Sequence, residues 1–147
     1  MDVCTGLAPR ALKRAMVMQR LEIPEDTDAV DRLFYYLDHA RPTMAEIKQV
    51  ICDFYLIKRD ELEGESCKRS VTFARQVFCY LSYRYARTSL NAIRLRVGYA
   101  DHTTAWHGVR RIEQYAITRP LVADDLDLLR LRICEKLLMR PNGSAQC

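Results

Sequence analysis

The sequence predicts an all-α fold, a helical bundle with two helices meeting across a tight turn. Apolar residues recur at i, i+3, i+4 and i+7 along most of the chain. Only five Gly and five Pro occur in 147 residues, and no strand-like alternation is sustained. Apolar residues make up 49% of the chain, enough for the core of one compact domain with appended helices. No uncharged apolar run reaches the roughly 18 residues of a membrane span, so no membrane partner is expected. The opening "MDVCTGLAPRALKR" lacks a charged-then-apolar signal pattern, which implies a cytoplasmic protein.

Taken in order, "RALKRAMVMQRL" (10–21) predicts a short helix. A second is framed by Pro24 and Pro42, with acids at its start and a stripe of Val30, Leu33, Phe34 and Leu37. Thr43 and Glu46 form a capping box that starts a third helix, from about 43 to 55, with Ile47, Val50, Ile51 and Phe54 inward. A short helical turn at Asp60–Leu62 precedes a loop at Gly64–Lys68. Ser70 is then expected to cap a helix whose Val71, Ala74, Val77, Phe78, Leu81 and Tyr85 make one continuous face over four turns. Thr88-Ser89 starts "LNAIRLRV", which Gly98 ends. Asp101 is placed as the N-cap of the next helix, accepting from the N–H of Thr103 or Thr104, with Ala105, Val109, Ile112 and Ala116 inward. Pro120 opens a closing helix on Leu126, Leu129, Ile133 and Leu137, and "RPNGSAQC" reads as a frayed tail.

The six cysteines (4, 52, 67, 79, 134 and 147) contain no C-x-x-C and fit no zinc module, so reduced, mostly buried or terminal thiols are expected. His102 and His107 lie about 140° apart around a helix, and no third ligand is near, so no metal site is expected. No Ser or Cys is marked as an activated nucleophile, and neither a carboxylate pair nor a Gly-rich phosphate loop is present. An enzyme is therefore not expected, and neither is a cofactor.

Charge is more informative. From Lys68 to Arg119, ten Lys/Arg face only Asp101 and Glu113, a net +8, while residues 1–67 are net −4 and 120–147 balance. Such asymmetry points to an anionic partner, most often nucleic acid, although a solvated helical face is the plainer reading of charge alone. The helix starting at His102 follows a Gly-containing turn of about four residues, the pattern of a helix-turn-helix. In that motif the N-terminus of the second helix reaches base edges in the major groove. A threonine offers a hydroxyl and a methyl, a histidine can donate to guanine, and an acid can accept from cytosine. Ordinary capping explains Asp101, but not His102-Thr103-Thr104 beside a basic surface. Arg110 and Arg111, two turns later, can track the phosphates.

"DHTTAWHGVRRIE" resembles the signature helix of the DNA-binding domain of DnaA, the bacterial replication initiator. The likeness extends upstream through "RQVFCYL" and the Ser-Leu before the turn, and covers roughly residues 43–117. It implies a Trp-repressor-like bundle at 43–117, with an N-terminal helical extension (1–42) and a C-terminal helix and tail (118–147). It further implies that Asp101, His102 and Thr103 read a short A/T-rich box and that Thr104 holds phosphate. Arg75 and Gln76 would contact the backbone, Leu90 the entrance of the motif, and His107 would match the family's second histidine. The family's minor-groove arginine falls at Cys67 in this register, leaving Lys68 or Arg69 to take its place. The chain departs from the family at Arg94, Arg96, Tyr99 and Ala100. No G-x-x-x-x-G-K-[ST] occurs, so no nucleotide is expected, and the chain reads as a stand-alone, nucleoid-associated binder of double-stranded DNA. It would act in regulation of replication or of transcription. The alternative is a protein-interaction module whose terminal helices, with Tyr35-Tyr36 and the C-terminal leucines, bind a partner or make a homodimer. The plainer reading packs both stripes on the core.

Overall fold

A computed structural model describes residues 27–140, and within them the fold is helical throughout, with no strand. The predicted helix at 10–21 and the residues after 140 lie outside the described part. The elements are α1 (Thr27–Ala40), α2 (Met44–Tyr55), α3 (Arg59–Glu63), α4 (Arg69–Leu81), a π-helical turn (Ser82–Ala86), α5 (Leu90–Val97), α6 (His102–Thr118) and α7 (Pro120–Leu138).

α4 is the axis of the bundle. It packs on α2, α3, α5 and, most extensively, α6. Its Phe78 is fully buried among Ile47 and Ile51 of α2, Leu62 of α3, Ile93 of α5 and Ile112 of α6, members of one continuous core. The terminal helices join that core. α7 packs on α1, α2 and α6, and Leu37, Leu126, Leu129, Ile133 and Leu137 are buried in it. The C-terminal leucines that motivated a partner interface are thus largely spent inside, whereas Tyr36 of α1 stays exposed. Leu128, Leu131 and Cys134 of α7 are buried as well.

Local chemistry sets most boundaries as predicted. Thr43 Oγ1 accepts from the Glu46 N–H (3.1 Å), and Glu46 Oε1 accepts from the Thr43 N–H (2.9 Å). Ser89 Oγ accepts from the Ala92 N–H (3.1 Å) and opens α5. Pro120 stands at the start of α7, where its missing N–H costs nothing.

Two boundaries differ. Ser70 does not cap α4: the helix begins at Arg69 with Lys68 as N-cap, and no side chain caps it. The preceding loop is gathered around Arg75 and delivers the chain into the helix earlier. The expected unbroken helix to Tyr85 widens after Leu81 into the π-helical turn. A regular helix would set Tyr80 and Tyr85 about 140° apart, whereas a wider turn brings residues five apart onto one side. Both hydroxyls accordingly meet Arg130 of α7, which donates from Nε to Tyr85 (2.7 Å) and from a terminal nitrogen to Tyr80 (3.2 Å).

Candidate nucleic-acid interface

The turn between α5 and α6 is built by two residues. Gly98 ends α5 at φ 74°, a left-handed conformation, and a Cβ there would stand 2.8 Å from the Glu63 carbonyl oxygen. Asp101 then starts α6: its Oδ1 accepts from the Thr103 N–H (2.7 Å) and the Thr104 N–H (3.2 Å). Those N–H donors, Thr104's first and Thr103's next, hold the Asp101 carboxyl below its ordinary value, so a negative charge stands at the positive end of α6.

Beyond this cap, His102, Thr103 and Thr104 are all exposed. Ala105, Val109 and Ile112 anchor the opposite face, while Ala116 is only partly buried. Thr104, His107, Gly108 and Arg111 share one flank of α6 at i, i+3, i+4 and i+7. That flank faces α4 closely, because Gly108 has no side chain: a Cβ there would lie 3.4 Å from Gln76 Cγ. Between the two helices and the 64–68 loop lies a cleft of about 260 Å³, into which Gln76, Thr104, His107 and Arg111 all open. Lys68 and Arg69 stand exposed beyond the loop end of the cleft. Arg110 lies on another flank, its guanidinium 5.7 Å from the centre of the Trp106 ring, which in turn meets Tyr83 edge-on at 5.6 Å. Leu90 is half-buried against the core at the start of α5.

Arg75, one of the residues expected at the DNA backbone, is nearly enclosed. Its guanidinium turns inward and the residue is 7% exposed. Nε donates to the Leu62 carbonyl (2.8 Å), one terminal nitrogen to Ser66 (2.6 Å), and the other to Glu61 (2.9 Å) and Gly64 (2.6 Å). The physical reason is that α3 has only five residues and its last carbonyls fall short of regular helical partners, that of Glu61 accepting a long bond from the Gly64 N–H (3.4 Å), and the guanidinium supplements them.

Besides Cys67, named only as the position of the family's arginine, four lining residues of the cleft were not read from the sequence as site residues: Ser66, Thr72, Tyr99 and Gly108. Thr72 was within reach, since it precedes Gln76 by one helical turn. Tyr99 carried no local signal, because its inward lean depends on the Gly98 turn meeting α3. Burial, with Cys79 nearby, pushes its hydroxyl up to about 12, so it stays a protonated donor. Among the described cysteines, burial likewise raises Cys79 and Cys134 to about 12, whereas Cys67 is exposed in the loop. No group of three or more His, Cys, Asp or Glu able to hold a metal occurs among the described residues.

Residues 44–112 match the family model described as bacterial dnaA protein helix-turn-helix. Among curated relatives, the chromosomal replication initiator protein DnaA of Roseobacter denitrificans is 42% identical over 88 residues, which is 60% of this chain and 19% of that protein. The protein of the same name from Ruegeria pomeroyi is 39% identical over the same shares, and that from Treponema pallidum is 30% identical over 67% of this chain and 22% of its own. The chain therefore spans about a fifth of the length of the relatives it matches. No solved structure matches it.

Proposed function

Residues 44–112 are a helix-turn-helix domain of the bacterial DnaA family, and from that premise we propose that this chain binds double-stranded DNA in a sequence-specific manner. Its sites are short A/T-rich boxes of the initiator type, and its role is regulation of replication initiation or of transcription from such boxes. The observation that carries this reading is the exposed Asp101-His102-Thr103 at the start of α6, set beside a cleft that gathers Gln76, Thr104, His107 and Arg111.

The division of labour follows from chemistry. Asp101, His102 and Thr103 have the donors, acceptors and methyl that distinguish base edges in a major groove. Gln76 of α4 and Thr104, His107 and Arg111 on one flank of α6 converge on the cleft and suit a phosphate lying over it. Lys68 and Arg69 occupy the loop edge, placed for the neighbouring backbone or a narrow minor groove. Arg110 covers the other flank, and Leu90 the entrance of the motif.

Fluorescence anisotropy with box-containing and scrambled duplexes tests the reading. The box should bind more tightly, and log affinity should fall with log salt by about 0.9 for each phosphate neutralised. Equal affinity for the two duplexes would remove sequence specificity.

A further inference from the structure

Arginine carries five N–H donors in a rigid planar fork. Arg75 directs them to the carbonyls of Glu61, Leu62, Gly64 and Ser66, at 2.6–2.9 Å. These carbonyls span the last turn of α3 and the loop after it, so one side chain shapes the chain from 61 to 66. Lys68 and Arg69 follow directly, and their exposure contrasts with the enclosure of Arg75.

The same stretch is keyed to the recognition helix from its other side. Lys48 of α2, itself buried, pairs with the Glu63 carboxylate and donates to the Arg96 carbonyl (3.1 Å) near the end of α5. The Glu63 carbonyl leaves room for nothing larger than glycine at 98. The end of α3 is therefore a fixed mark between the basic loop and the turn that leads to Asp101.

We propose that Arg75 is a positioning residue for DNA recognition. It holds residues 61–66 on its guanidinium and thereby sets the distance from Lys68 and Arg69 to the start of α6, without touching phosphate itself. The inference rests on the proposed DNA binding and deepens it.

Arg75→Lys separates the alternatives, because it keeps the charge while replacing the fork with a point charge that cannot serve four carbonyls. A direct phosphate contact would leave the salt slope unchanged in this variant. A positioning role removes the contacts of both Lys68 and Arg69, so the slope should fall by about 1.8, at about 0.9 per phosphate. In a double-mutant cycle, Arg75→Lys should cost nothing further once Lys68→Ala and Arg69→Ala are present. Additive losses overturn the proposal.

Circular dichroism checks that the variants fold. Should Arg75→Lys not fold, the wild-type chain decides. The Arg75 Nε–H resonance should be protected from exchange in the free protein and keep its position when duplex is added. A large shift on binding, or rapid exchange before it, overturns the role. A wild-type chain that binds no duplex overturns the DNA reading instead, and protection of Arg75 Nε–H in the free protein still reports whether the loop is held.

Discussion

At the residue scale, the cap of α6 and the groups proposed to read bases lie side by side, and substitutions should pull them apart. His102 and Thr103 are exposed and belong to no core. His102→Ala or Thr103→Ala should therefore leave thermal stability nearly unchanged and reduce discrimination between box and scrambled duplex by about 1–3 kcal/mol. Anisotropy titrations of both duplexes measure it, and an equal loss on each would make these side chains backbone contacts. Asp101 has a second duty as the cap. Its carboxyl is held low in the folded state, chiefly by the N–H groups of Thr104 and Thr103. The charged cap's contribution is thus fully present above the ordinary value of 3.8 and is lost as pH falls through the lower folded value. Asp101→Asn keeps an acceptor for those N–H groups and Asp101→Ala does not. Melting temperature should therefore fall in the order Asp, Asn, Ala at pH 7, and the Asp–Asn gap should close in acid.

At the element scale, the spacing between helices is enforced by backbone rather than by side-chain fit. Gly98 combines φ 74° with a Cβ position 2.8 Å from the Glu63 oxygen. Gly98→Ala should cost about 1–3 kcal/mol from the left-handed backbone alone, and more because the α3 carbonyl must move. Urea denaturation measures the loss, and the displaced turn should weaken box binding in the fraction that remains folded. This scale also shows where the sequence could be read. Thr43 with Glu46, Ser89, Gly98 and Asp101 act on N–H and C=O groups within four residues, so their letters alone locate the helix ends. Ser70 and the widened turn after Leu81 were decided from far away, by carbonyls 9–14 residues from Arg75 and by an arginine 45–50 residues from the tyrosines it binds. The exposure of His102, Thr103 and Thr104 on α6 follows from helical phase. The inward turn of Arg75 does not, because an arginine off the apolar stripe reads as solvent-facing until α3 is seen to end beneath it.

At the scale of the whole molecule, the folded core does not end where the family-model match ends. The family match stops at 112, but the core continues through α7 and α1. Arg140, just beyond α7, pairs with Glu46 at the start of α2, its Nε 2.8 Å from Oε2. That hydrogen bond is the main reason the Glu46 carboxyl lies below its ordinary 4.5. The stabilisation is complete above that value and disappears as pH drops through the folded one. Arg140→Ala should accordingly lower the melting temperature at pH 7 and match the wild type in strong acid. The pair only pins α7, however; its apolar side chains matter more. Leu126, Leu128, Leu129, Leu131, Ile133, Cys134 and Leu137 are all at most 5% exposed. At about 1.5–3 kcal/mol for each large side chain withdrawn from water, their loss rivals the roughly 5–15 kcal/mol that holds a domain folded. Removing residues 119–147 would also uncover the faces of α1, α2 and α6 that α7 covers. The shortened chain should melt without cooperativity, bind a hydrophobic dye and lose box recognition, although every proposed DNA-contacting side chain remains in it. A sharp thermal transition with box binding intact would instead make α7 a dispensable cover and confine the folding unit to the segment before it.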